Sequence, residues 1–170
     1  MKRISWVRVK AARRAAALTV GFGLLAVGCG ENINKPTITL GAAEQQADAL
    51  LAQAEQALPA DVRHKLPEKS ESGCYHDFDG KFDDRRQPVR SAVLFGLPDE
   101  RRAEVYEAAR KFMEAEGFKI TEDTDRGLTG TRASDGFDTV LRGTFAAGDY
   151  IELTVRAPCV WENGTPPPKR

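Results

Sequence analysis

The sequence predicts an α+β fold. It is a two-layer arrangement in which an antiparallel meander sheet of four to five strands carries two helices on one face. Three observations predict it. Two stretches, Ala43–Leu58 and Val105–Met113, repeat apolar residues at helical spacing. YIELTVR (Tyr150–Arg156) alternates, with Ile151, Leu153 and Val155 on one side and Tyr150, Glu152, Thr154 and Arg156 on the other. Other β-rich runs are separated by turn signals such as Asp135-Gly136, a strong hairpin dipeptide. Alternation means that one sheet face is covered, and the amphipathic helices are the cover.

The chain opens with six basic residues and no acid in residues 1–14, followed by the apolar run AAALTVGFGLLAV. A bilayer-spanning helix needs about 20 apolar residues, so this run is short. A basic start, a short apolar run and small residues before a cut site make a secretory signal peptide over 1–28. The cut site carries the sequence AVGC (Ala26–Cys29), which resembles the lipobox of bacterial lipoproteins, with Ala26 at the usual Leu position and Leu25 one place early. In that family the cysteine is lipidated and becomes the mature N-terminus. Cys29 is then the lipid site, and the protein is exported and anchored to the outer face of the cytoplasmic membrane. Each buried CH₂ contributes about 0.8 kcal/mol and a single chain holds only marginally, so two or three acyl chains make the anchor stable. The alternative is a plain signal peptide or a short anchor helix with Cys29 incidental. Arg13-Arg14 also fits a twin-arginine export route as well as the general one.

Residues 29–40 read as a lipidated tether, and residues 41–58 as an alanine-rich helix stopped by Pro59. Its stripe of Ala43, Ala47, Leu50, Leu51, Ala54 and Leu58 packs closely on something, either the domain or the membrane-proximal side. Residues 59–73 are polar and predict a loop leading to Cys74. The acids Asp77, Asp79, Asp83 and Asp84 then cluster around Gly80. Alternating oxygen ligands about a glycine suit Ca²⁺. This cluster lacks the full calcium-loop spacing and the closing Glu, and Arg85 and Arg86 follow at once, so a solvated turn is expected. Val89–Leu97 predicts a strand. Pro98 opens a helix with Asp99 and Glu100 in its first turn, where the helix dipole favours anions. Val105, Ala109, Phe112 and Met113 form its buried face, and Gly117 stops it. FKITED, LTGTRAS, FDTVLRGTF and YIELTVRAPC follow as strands, so the α+β domain spans about 71–161. Residues 162–170 form an extended Pro-rich tail.

Charge and cysteines bound the function. The full chain carries 25 basic and 25 acidic residues. All six charges of residues 1–28 are basic, so the chain from Cys29 keeps 19 basic against 25 acidic residues, a net charge of −6. With no basic stripe, nucleic-acid binding is excluded on charge. In an exported chain, Cys74 and Cys159 most simply form one disulfide. The alternatives are two buried free thiols or a metal site, but only His64 and His76 are present and there is no C-x-x-C pattern. No catalytic motif such as G-x-S-x-G, H-E-x-x-H or a P-loop occurs, and no cofactor is implied.

The lipobox, the Ala-rich helix ending ALP, the unit GLPDERRAEVYEAARKFMEAEGFKI and above all the ending PCVWENGTPPP (Pro158–Pro168) together resemble small actinobacterial cell-envelope lipoproteins. That group has no assigned activity. The resemblance implies Cys29 as the lipid site and Cys74 with Cys159 as a pair. The expected function is therefore a membrane-anchored, non-enzymatic binding or interaction module with an envelope protein partner. One alternative is a carrier of a small apolar ligand. Another is an enzyme using a His76/Asp77 pair.

Overall fold

The structure is a computed structural model and describes residues 35–64, 68–76, 81–143 and 150–168. All of them belong to one compact unit, Asn32–Arg170. The elements run α1 (Leu40–Ala57), β1 (Arg63–His64), β2 (Glu68–His76), β3 (Lys81–Phe95), α2 (Asp99–Ala115), β4 (Lys119–Asp123), β5 (Gly127–Arg132), β6 (Phe137–Gly143) and β7 (Tyr150–Arg156).

Both helices form where the periodicity places them. The Thr39 hydroxyl accepts from the Ala42 N–H at 3.2 Å. It thereby satisfies one of the unpaired donors at the start of α1. The α1 stripe buries Ala43, Ala47, Leu50, Leu51 and Ala54 against β3, β7 and α2. The Ala-rich helix thus covers the sheet. Helix α2 ends at Gly117, whose φ of 77° is the left-handed conformation that glycine adopts without strain.

The sheet is antiparallel throughout, in the order β1-β3-β7-β6-β5-β4, with β2 also pairing β3. Strands β4 to β7 are the expected meander, and β7 returns beside β3. Cross-strand register aligns the buried face in rows. Ala92, Leu153, Leu141 and Leu128 form one row, and Arg90, Val155, Thr139 and Gly130 the next. These apolar residues join Val105, Ala109, Phe112 and Met113 of α2 in a single core. The opposite face is polar. Its rows include Ser91, Thr154, Val140 and Thr129, and Val89, Arg156, Asp138 and Thr131.

The sheet has seven strands, not four to five. The expected loop at 59–73 contains β1 and the first half of β2. Residues 68–73 are exposed, so β2 pairs through its backbone without the apolar alternation that marks a strand. Strand β3 begins at Lys81, eight residues before the expected Val89. The expected turn around Asp83 and Asp84 is part of that strand. Pro88, which cannot donate to a ladder, lies inside it and is buried. Its carbonyl instead accepts from the Ala157 N–H at 2.9 Å. Asp77, Asp79 and Gly80 lie outside the described residues.

Strand β3 outruns the sheet. From Val89 to Phe95 it pairs β7, with β2 on its other side at Val89–Ser91 and β1 at Leu94–Phe95, whereas from Lys81 to Pro88 it pairs β2 as a two-stranded arm. Cys74 in this arm is bonded to Cys159, with an S–S distance of 2.09 Å and a Cα–Cα distance of 6.0 Å. Next to it, Val160 and Arg86 exchange both backbone hydrogen bonds at 2.9 Å. Cys74→Ser should destabilise the protein by roughly 2–5 kcal/mol, read from urea unfolding with and without reductant. Reductant should shift the wild type to the same midpoint and leave the variant where it is.

Candidate functional site

The first and last segments of the described domain, residues 37–40 and 161–164, meet at the base of the β2–β3 arm. The Thr37 N–H donates to the Gly164 carbonyl at 2.8 Å, the Leu40 N–H donates to the Glu162 carbonyl at 3.1 Å, and the Trp161 N–H donates to the Thr37 hydroxyl at 3.0 Å. Gly164 has φ 75°, and a Cβ there would stand 2.9 Å from the Thr37 carbonyl oxygen. Only glycine accepts both the backbone and the approach. The ending Pro158–Gly164 therefore acts as a clasp. Cys159 bonds the arm, Val160 pairs with Arg86, Trp161 is buried, and Gly164 holds the entering strand of chain. The expected extended tail is folded back over 161–164.

Beside the clasp lies an open cleft of about 610 Å³, lined by Leu40, Gly73, Phe82, Asp84, Arg86 and Glu162 with Asp83 and Arg85. Its geometry comes from an irregularity in the ladder. Gly73 pairs with Arg86 and Tyr75 pairs with Phe82, so Cys74 faces three residues, 83 to 85. This bulge turns Asp83 and Arg85 inward. The Arg85 N–H donates to Asp83 Oδ1 at 2.8 Å, and its guanidinium donates to Oδ2 from Nε at 3.0 Å and from Nη2 at 2.8 Å. Across the arm, Arg86 Nη1 donates to Glu71 Oε2 at 2.6 Å. The Glu71 hydrogen bond and the charges of Glu71 and Glu162 raise the pKa of Arg86. These ion pairs fix the arm's shape, and two further acids, Asp84 and Glu162, line the cleft. Phe82 lies over Gly73, where a Cβ would meet the ring at 2.7 Å. Tyr75 stacks beside it with ring centroids 4.3 Å apart.

A second polar cluster ties α1 to the sheet. Arg90 is 2% exposed on the core face. Its Nε donates to Asp48 Oδ1 at 2.6 Å, Nη2 donates to Glu44 Oε1 at 3.2 Å, and Nη1 donates to the Val89 carbonyl at 3.1 Å. Lys69 of β2 donates to Asp48 Oδ2 at 2.8 Å. Burial pushes the Asp48 carboxyl up, but hydrogen bonds and charges from Lys69 and Arg90 outweigh it and hold the pKa below 3.8. The sequence does carry a signal for this cluster. Arg90, Ala92 and Leu94 share one strand face, and Glu44 and Asp48 stand four apart on the helix above.

A second cleft, of about 580 Å³, lies between the end of α1 and α2. Leu58, Pro59, Ala108, Phe112 and Ala115 line it, with Glu104, Glu107 and Lys111 at its edge.

The structure joins Cys74 and Cys159 as expected. His76 ends β2 opposite Lys81, but its side chain, all of Asp77 and Cys29 lie outside the described residues. The Asp83 carboxylate is taken by Arg85, and among the described residues no group of three or more His, Cys, Asp or Glu could hold a metal ion. Among the described residues, no helix is long and apolar enough to cross a membrane. No protein-family model, curated protein or solved structure matches this chain.

The lowered Asp48 pKa has a definite pH consequence. A carboxyl stabilised in its charged form contributes stability above its unfolded value. That contribution is lost as pH falls through the lowered folded value. Asp48→Asn should therefore be less stable than wild type at pH 7, and the difference should shrink as pH falls below about 4. Urea midpoints measured from pH 7 to pH 2 check this.

Proposed function

We propose that this chain is an extracytoplasmic lipoprotein, anchored through Cys29 to the outer face of the cytoplasmic membrane, whose folded domain is a non-enzymatic interaction module of the cell envelope. The observation that carries the proposal is the Cys74–Cys159 disulfide. Such bonds persist in oxidising compartments outside the cytoplasm, which agrees with the signal-peptide and lipobox pattern at 1–29. The resemblance to small actinobacterial envelope lipoproteins rests on the lipobox, the Ala-rich helix, the Gly96–Ile120 unit and the Pro158–Pro168 ending, part of which here clasps the chain as it enters the domain.

The interaction reading follows from how the polar groups are used. Three of the charged groups lining the large cleft are held in ion pairs, Asp83 with Arg85 and Arg86 with Glu71 across the arm. They shape the surface. The open sheet face offers Tyr150, Thr154 and Arg156 with Phe95 at its end, a mixed polar and aromatic surface of the kind that contacts a protein partner. A carrier of a small apolar ligand is the second reading, favoured by the apolar cleft between α1 and α2.

Intact mass of the protein extracted from its own membrane tests the anchor and the bond together. The expected mass is that of residues 29–170 plus acyl groups, rising by two hydrogens on reduction. Cys29→Ala should leave the precursor unprocessed or release the protein from membranes. Processed, membrane-retained Cys29→Ala protein would overturn the lipoprotein reading. For the carrier reading, Ala108→Arg should abolish uptake of a fluorescent fatty acid, and absence of uptake by the wild type would remove that reading.

A further inference from the structure

We propose that the end of the domain carrying Ile38, Tyr75 and Phe82 seats against the lipid bilayer, with the two rings in the headgroup interface. This rests on the lipid-anchor reading and deepens it by giving the folded domain its own membrane contact and orientation.

The distribution of exposed apolar side chains carries the inference. Among the described residues, the exposed large hydrophobics are Ile38, Tyr75, Phe82 and Phe95, at 38%, 61%, 66% and 43% exposure. Three of these four gather at one end. Ile38 lies in the segment clasped by residues 161–164, the next residues lead to Leu40, and Leu40 and Phe82 line the same cleft. Tyr75 is stacked on Phe82. Phe95 ends the same strand 13 residues beyond Phe82, at most about 43 Å away at strand rise and less by the length the bulge takes up.

The chain itself brings this end to the membrane. Thr37 is the first residue the clasp holds, and Cys29 precedes it by eight peptide steps. Fully extended, eight steps reach at most about 28 Å, and a flexible chain of that length typically spans about 16 Å. An anchored Cys29 therefore confines the clasp, and the cleft beside it, to the neighbourhood of the headgroups. The rings at the far side of that cleft need only weak affinity to seat there, because a short tether supplies an effective concentration of about millimolar or more.

The chemistry suits an interface more than a protein pocket or an anionic lipid. Tyr combines an apolar ring with a hydroxyl that stays in water, the combination enriched at headgroup depth. Phe82 already has one face over Gly73, so its outward face is the part left in water. The nearby charges argue against an electrostatic contact. Arg85 and Arg86 are paired with Asp83 and Glu71, while Asp84 and Glu162 line the cleft. Seating by the rings should therefore occur on zwitterionic lipid and persist in salt.

The test places a reporter at each end of β3. Chain beginning at Cys29 is coupled through that thiol, the only one outside the disulfide, to a maleimide-headgroup lipid in phosphatidylcholine vesicles. Coupling makes the contact measurable whether or not the native chain is acylated, and intact mass of the native protein judges acylation separately. Phe82→Trp and Phe95→Trp are compared, each against the same buried Trp161 background. The expected result is a blue shift and quenching by brominated phosphatidylcholine for Phe82→Trp alone, unchanged in about 0.5 M salt, which screens surface charge. Tyr75→Trp should report the same contact if the Phe82 variant fails to fold. Equal quenching at both ends, or none at either, would overturn the proposal. Quenching at position 82 that disappears in salt would overturn its apolar basis.

Discussion

The bond between Cys74 and Cys159 is the constraint on which the arm, the clasp and the entry of the chain depend. The β2–β3 arm beyond Pro88 is a two-stranded ribbon, and such a ribbon is marginal by itself in water. Joining it to the segment after β7 makes that segment a partial third strand, fixed by the Arg86–Val160 pair. Once Val160 is fixed, Trp161 can bury and Glu162 and Gly164 can receive the backbone of residues 37–40. A sequence separation of 85 corresponds to about 4.5 kcal/mol in the chain-entropy treatment. Against a typical net stability of 5–15 kcal/mol, one covalent bond is a large fraction of what holds the domain together.

Arg90 sets a different constraint, on register. A buried guanidinium is costly unless its donors are met. Here Asp48, Glu44 and the Val89 carbonyl meet them. A methionine would fill similar space without that requirement, so the cluster is weak evidence for stability. Its effect is to permit few positions of α1 along the sheet. The alanines at 43 and 47 let the helix slide on a smooth surface, and the carboxylates at 44 and 48 stop it where Arg90 is. Lys69 extends the same network to β2, so helix, central strand and edge strand are aligned through one carboxylate.

Much of the α+β architecture was legible in the sequence, because α1, α2 and β7 bury one clean face each and turn dipeptides mark off the other strands of the meander. The missed strands share a physical cause. Strand β2 buries little apart from Cys74, and the first half of β3 is built from charges that satisfy one another along and across the ladder. Backbone pairing and ion pairs leave no apolar period to read. Pro88 lies within the unread half of the strand. Its missing N–H argues against a strand interior, yet its carbonyl is used and its ring is buried. Cys74 and Cys159 were legible as a pair by count. The clasp was not, although Asn163-Gly164 is a turn dipeptide, because nothing local to the C-terminus reveals that Thr37 packs against it.

Under the proposed anchoring, these constraints also decide what kind of surface stands nearest the membrane. The chain from Cys29 carries a net charge of −6, and like charge on anionic headgroups would push the domain away over a Debye length of about 8 Å. The bulge at Cys74 offsets this locally. It pairs Asp83 with Arg85 inside the arm, and Glu71 with Arg86 on its surface, while the register of Tyr75 with Phe82 puts two rings side by side at the arm's exposed end. At the opposite edge of the sheet, β4 is bulged between Ile120 and Glu122 and lined with charge, and Asp123 is held by Arg110 of α2. Such an edge resists pairing with another strand. The exposed apolar surface is thus concentrated where residues 37–40 enter the domain, and charge and irregularity protect the edge farthest from it.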